Sequence, residues 1–263
     1  MTIAEKSMVL NGRRVHYLES QPDGANAHPV VLLHGWGASA ALMKPVMERL
    51  KRSGHPTIAP DFPGFGDSEA PETAWTVFDY ANWTADFLDT LNLSRVNLIG
   101  HSFGGRISLI LGADYADRVH RIVLVDAAGV PPRRSLWSRT RLAVYKSVRG
   151  LLRRVGAGGY ADRLAAWYGK RYGSADYQNT SGVMRQTFIH VVNQDLRDHA
   201  ARVSAPTLLI WGDGDQDTPL WQAKILESLI PDAGLVVLEG AGHYSYLDRL
   251  NEFVQITEHF FSS

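Results

Sequence analysis

The chain has 263 residues, 27 basic against 27 acidic, with 45% hydrophobic and 21% charged residues, which is ordinary globular usage and argues against a mainly disordered chain. Cysteine is absent, so disulfides, Cys-ligated zinc, iron–sulfur clusters and a thiol nucleophile are excluded. No apolar run approaches the length of a membrane span, and the N-terminus lacks the basic-then-apolar pattern of a signal peptide, so a cytoplasmic location is expected.

In chain order, Met8–Leu10 and Val15–Leu18 read as a hairpin around Asn11-Gly12, a pair suited to the positive φ angles of a type I′ turn. Val30–Leu33 is a predicted strand, residues 39–52 a helix, and Thr57–Ala59 a short strand. A helix follows over 76–91, with Phe78, Trp83, Phe87, Leu88 and Leu91 as one apolar face. Val96–Ile99 is a strand, 103–114 a helix and Ile122–Val125 a strand; later, Thr207–Ile210 and Leu235–Leu238 are strands trailed by helices over 219–230 and 247–262. Short apolar runs alternating with helices imply an α/β fold, a mostly parallel sheet covered on both faces.

Residues 131–201 interrupt this alternation with helical stretches at 135–155, 160–170 and 181–198. They read as a helical insertion (131–201) in a core made of 1–130 and 202–263. The insertion is also where the charge is uneven: residues 131–200 hold 13 basic and 4 acidic residues, a net of +9, so the remainder carries −9. Arg133, Arg134, Arg139, Arg141, Arg149, Arg153 and Arg154 crowd its first third. Such a stretch can balance an acidic core or attract an anionic substrate, an acidic carrier protein or an anionic membrane surface.

Gly100-His101-Ser102-Phe103-Gly104 is a G-x-S-x-G between a strand and a helix. A sharp turn there lifts Ser102 above the strand ends, and Gly100 and Gly104 remove side chains that would clash. A serine hydroxyl needs a base. His243, in the loop after the last strand, opens at the same sheet edge; His16, His120 and His259 lie within or beside regular elements, and His34 and His101 read as structural. The base needs an acid, and Asp213, Asp215, Asp217 and Asp126 all lie at strand ends; Asp217 is also a candidate cap for the helix near Pro219. Backbone donors for an oxyanion are expected from Phe103 and from Trp36 in His34-Gly35-Trp36-Gly37.

Taken together, His34–Gly37, Asp61-Phe62-Pro63-Gly64-Phe65-Gly66-Asp67-Ser68, Gly100–Gly105, Gly212-x-x-Asp215-x-x-x-Pro219 and Gly242-His243 resemble the α/β-hydrolase superfamily, in its capped, serine carboxylesterase-like branch. The resemblance covers residues 8–130 and 203–261. It implies Asp215 as the acid, a catalytic triad of Ser102, Asp215 and His243, an oxyanion hole at Trp36 and Phe103, and a cap (lid) domain at 131–201. Aspartate-nucleophile dehalogenases and epoxide hydrolases are disfavoured by Ser102.

The expected function is ester hydrolysis through an acyl-serine, with no cofactor, no metal and no nucleic-acid partner. Alternatives on the same fold are carbon–carbon bond hydrolysis of ring-cleavage products, lactonase or perhydrolase chemistry, hydrolysis of acyl-carrier-protein esters, and a non-enzymatic ligand receptor. The insertion's aromatics, Trp137, Tyr145, Trp167, Tyr168 and Phe188, are expected to line an apolar substrate pocket.

Overall fold

A computed structural model describes residues 3–22, 28–133, 136–172 and 174–263; Arg134 and the Arg139 side chain lie outside the described set. The strands are β1 (Ala4–Leu10), β2 (Arg13–Ser20), β3 (Val30–Leu33), β4 (Thr57–Pro60), β5 (Val96–His101), β6 (Val119–Val125), β7 (Thr207–Gly212) and β8 (Ala233–Leu238). They form one eight-stranded sheet in the order β1-β2-β4-β3-β5-β6-β7-β8. The pairs β1–β2 and β2–β4 are antiparallel, and all others are parallel. Asn11 and Gly12 hold φ of 50° and 78° at the first hairpin, as the turn type requires. The hairpin strands run longer than their apolar runs because β1 is largely exposed and carries polar residues.

The helices of the core are α1 (Lys44–Arg52), preceded by a 3-10 turn at Ala40–Met43, α2 (Val77–Thr90) and α3 (Phe103–Asp114). α2 starts at a reciprocal cap: Thr76 Oγ1 accepts from the Asp79 N–H, and the Asp79 carboxylate accepts from the Thr76 N–H. Between β6 and β7 lie α4 (Leu136–Arg154), α5 (Gly158–Tyr172), α6 (Ala175–Asn179), α7 (Gly182–Val192) and α8 (Arg197–Ala200). α9 (Leu220–Leu229), α10 (Ser245–Asp248) and α11 (Leu250–Ser262) complete the chain. None of the described helices is long and apolar enough to cross a membrane.

Strand side chains alternate between two cores, as a period of two demands. Val31 and Leu33 of β3 join Leu98, Leu124 and Trp211 beneath α2, α3 and α9. Val30 and Leu32 join Ile99, Val123 and Ile210 beneath α1 and α11. Leu196, Ala200 and Val203, at the end of the insertion, pack into the first of these cores.

The β5–α3 turn is where the two layers approach most closely. A Cβ on Gly104 would run into the Leu33 carbonyl, and one on Gly100 into Ser108 Oγ. Gly104→Ala is therefore expected to lower the unfolding free energy by about 3 kcal/mol. Gly150→Ala, at a helical position of α4 with open space around it, is expected to raise it by roughly 0.5–1 kcal/mol. Urea unfolding of both variants checks the pair.

Candidate active site

Ser102 sits between β5 and α3 with φ 49° and ψ −103°, a left-handed φ that a non-glycine residue adopts only when its surroundings enforce it. The enforcement is visible: its N–H donates to the Val125 carbonyl, and its own carbonyl accepts from Gly105 and Ala128. The result points Oγ toward the β8–α10 loop, where His243 Nε2 lies 3.1 Å away. His243 Nδ1 is 2.9 Å from Asp215 Oδ2, in the loop after β7. Three loops at the carboxyl edge of the sheet thus meet in one line of hydrogen bonds, Ser102 to His243 to Asp215.

Asp215 is nearly buried and well supported. Its Oδ1 accepts from the N–H groups of Asp217 and Thr218, and the Thr218 hydroxyl lies 2.6 Å from Oδ2. Burial alone would push its pKa up; the bonds from His243 and Thr218 outweigh burial and hold it below the usual carboxylate value. For His243, burial disfavours the imidazolium, but the hydrogen bond and charge of Asp215, joined by the charges of Asp217 and Asp126, outweigh it and raise the pKa above 6.5.

The remaining acid candidates separate by geometry. Asp126 is fully buried with φ 44°, and its two oxygens accept from the N–H groups of Gly212 and Ser245, tying β6 to β7 and α10. Burial pushes its pKa to about 7 despite those donors. Asp213 accepts from the Gly240 N–H. Asp217 makes no side-chain cap for α9, whose N-cap is Pro219; instead its own N–H supports Asp215. The capping expectation fails because the Asp217 backbone is turned toward the Asp215 carboxylate.

The two histidines beside the motifs hold the turns. His34 Nδ1 donates to the Gly35 carbonyl and Nε2 accepts from the Phe62 N–H. His101 Nε2 donates to the His243 carbonyl at 2.8 Å, so it holds the His243 backbone. Burial drives their pKa values down to about 4 and about 3, which keeps both neutral. In the β4 loop, Asp61 accepts from His16 and from the N–H groups of Ala40 and Asp67, so this motif folds the loop that carries Phe62 and Phe65 against Phe103.

A cavity of about 260 Å³ opens over Ser102, and Trp36 and Phe103 line it. Phe103 is the first residue of α3, so its N–H has no partner within the helix. Of the five insertion aromatics, Phe188 lines the cavity and packs on Trp36, with ring centroids 5.1 Å apart. Trp137, Tyr145, Trp167 and Tyr168 do not line it. Trp137 and Trp167 are 75% and 57% exposed, and Tyr145 stacks on Tyr168 at 4.0 Å between α4 and α5. The reason is that α7, not the α4–α5 pair, lies over Ser102.

Sequence reasoning missed Thr218, Asp176 and Arg106. Asp176, an exposed residue on the short α6, lines the cavity, and burial of its carboxyl followed by the charge of Asp217 raises its pKa. Arg106 is only 5% exposed and lines the cavity; it donates to the carbonyls of Val192, the last residue of α7, and of Gln194 just beyond it, fastening that helix to α3. Burial lowers its pKa to about 10. Its spacing of four residues from Ser102 on one helix was the only available signal.

Among the described residues, two donor clusters are close enough to share an ion, His16–Asp61–Asp67 and Asp215–Asp217–His243. In both, the imidazole Nδ1 is already bonded to a carboxylate, at 2.8 and 2.9 Å.

The family model for the alpha/beta hydrolase fold matches residues 28–250. The chain is 29% identical, over 92% of its length and 91% of the relative's, to a 2-hydroxy-6-oxo-2,4-heptadienoate hydrolase of Pseudomonas putida. It is 25% identical, over 88% of its length and 94% of the relative's, to a pimeloyl-[acyl-carrier protein] methyl ester esterase of Aeromonas hydrophila. Among solved structures, an esterase from Exiguobacterium antarcticum superposes with a TM-score of 0.74 at 24% identity, covering 98% of each chain, a likeness of fold.

Proposed function

The chain belongs to the alpha/beta hydrolase family, and within it we propose a serine hydrolase acting on carboxylic esters through an acyl-serine intermediate. The observation that carries this reading is the Ser102–His243–Asp215 line, 3.1 and 2.9 Å between heavy atoms, opening on a cavity. In this reading His243 takes the Ser102 proton as Oγ attacks the ester carbonyl, and the Phe103 and Trp36 N–H groups receive the oxyanion. His243 then protonates the leaving alcohol, and a water repeats the cycle on the acyl-enzyme. Asp215 holds the imidazole with Nδ1–H toward itself, leaving Nε2 free to accept. Residues 131–201 act as the cap, with Phe188 of α7 as the aromatic wall of the acyl site.

One observation favours a second reading, hydrolysis of a carbon–carbon bond in an acid-bearing substrate. Arg106 brings a buried guanidinium to the cavity wall, held by backbone carbonyls and feeling the charge of Asp195 without a direct ion pair to it.

A panel of p-nitrophenyl esters from C2 to C16 together with a 2-hydroxy-6-oxo-dienoate tests both. Turnover of the short and medium esters is expected to exceed that of the dienoate. Turnover of the dienoate alone, lost in Arg106→Met, supports the second reading, and no turnover of either class removes both.

A further inference from the structure

The described surface concentrates its exposed large apolar side chains on one part of the molecule. Trp137, Val144, Val148 and Leu151 of α4, and Val155 just past its end, are 44–75% exposed, and Tyr160 and Trp167 of α5 are 67% and 57% exposed. At 3.6 residues per turn, the four α4 positions fall within about 60° of arc, so they form one stripe along the helix. The stripe is not the packing face of α4. Tyr145 meets Tyr168 of α5 on another side, and Leu142 and Lys146 line a groove against Val192 of α7. Such a stripe on a surface helix normally faces a partner.

The charge beside the stripe identifies the chemistry of that partner. α4 carries six basic residues, Arg139, Arg141, Lys146, Arg149, Arg153 and Arg154, and no acidic one. α5 interleaves Tyr160 and Trp167 with Arg163 and Arg171 on one face. A second copy docked stripe to stripe would bring the flanking arginines of one copy against those of the other, which disfavours self-association. Of these basic residues, Arg141 and Arg154 of α4, about 50° and 90° of arc from the middle of the stripe, and Arg163 and Arg171 of α5 border the apolar and aromatic residues. Such a border fits an interface that is apolar inside and anionic outside. Tryptophan and tyrosine suit the same boundary, apolar in the ring and polar at the edge.

We propose that the outer face of α4 and α5 docks the protein on an anionic lipid bilayer, with Trp137, Leu151 and Trp167 entering the headgroup–acyl boundary and the arginines meeting the headgroups. The docking stands independently of the bond that Ser102 cleaves.

Flotation of the full chain with vesicles tests it, using phosphatidylcholine alone and phosphatidylcholine mixed with phosphatidylglycerol. Binding to the mixed vesicles is expected to exceed binding to the neutral ones by about tenfold or more and to weaken as salt rises. Trp137→Ser combined with Leu151→Ser, and separately Arg154→Gln combined with Arg163→Gln, should each lower bound protein several-fold. Lys224→Gln, on the exposed side of α9, should leave it unchanged. Turnover of p-nitrophenyl acetate in free solution should be unaffected in all of these variants, so a failure to dock and a failure of the ester reading are read on separate assays. The proposal is overturned if mixed vesicles retain no protein, or if both double variants float as the parent does. It is equally overturned if light scattering shows a dimer that the Trp137→Ser/Leu151→Ser variant loses, since a second copy would then cover the stripe.

Discussion

Ser102→Ala is expected to lower kcat on a p-nitrophenyl ester by about 10³-fold or more while the protein stays folded. The size follows from what the side chain does in the proposed reaction. Without Oγ no acyl-enzyme forms, and what remains is the positioning of the ester and of water near the Trp36 and Phe103 amides. Folding survives because the turn is not held by Oγ. Backbone hydrogen bonds to Val125, Gly105 and Ala128 fix it, and glycines at 100 and 104 let β5 and α3 close around it. Alanine adopts the φ of 49° no worse than serine. Circular dichroism and urea unfolding check the fold, and stopped or continuous ester assays check kcat. A folded variant with near-parental turnover would remove Ser102 as nucleophile.

Asp215→Asn is expected to cost about 10³- to 10⁴-fold in kcat and to change the pH profile as well. The asparagine can present its amide N–H₂ to His243 Nδ1, which favours the tautomer with the proton on Nε2, where the base must be free. The pH effect has a definite sign. In the parent enzyme the acid limb of kcat/KM reports protonation of His243, whose pKa lies above 6.5 because Asp215 outweighs burial. Removing the Asp215 charge leaves burial to dominate, so the limb moves to lower pH. Asp126→Asn should behave differently. Both Asp126 oxygens accept backbone N–H groups, so an amide in that place faces one donor with another, and stability falls by about 1–3 kcal/mol with a mild effect on turnover. The reverse ranking of the two variants would move the acid to Asp126.

The sheet was legible because each central strand is a run of apolar residues on both faces, and such runs have few other places to go. Val30–Leu33 and β5 through β7 were visible for that reason, and β8, an edge strand, through its apolar run alone; the serine turn was visible because its glycines mark where backbone approaches backbone. The antiparallel strands were read too short, since β1 lies at the sheet edge and its exposed positions are polar. Spacing left the pairing of Asp215 with His243 open among four aspartates, and only the resemblance pointed to Asp215. Strand-end position puts all four near one edge, and only the loop conformations turn Asp215 toward the ring while sending Asp126 to the Gly212 and Ser245 amides.

The insertion was the least legible part. Helical periodicity in 135–155 reveals an apolar stripe but not what it faces, and Trp137, Val144 and Leu151 turn out to face outward. The cavity wall depends instead on α7, where Arg106 fastens the helix end and Met184 fills the space beside Gly64. Both contacts span long sequence separations, and no local pattern announces them. Thr218 was invisible for a related reason. A threonine between Asp217 and Pro219 reads as loop chemistry until its hydroxyl is seen beside Asp215 Oδ2.

The central claim is that Ser102 Oγ is the attacking atom, and covalent trapping measures this directly. Incubation with a p-nitrophenyl alkylphosphonate, followed by intact-mass and peptide mass spectrometry, should give one adduct per chain, located on Ser102, appearing in step with loss of ester turnover and absent in His243→Ala over the same interval. Complete loss of turnover with the adduct on another residue, or full retention of turnover in a chain quantitatively labelled at Ser102, would contradict it.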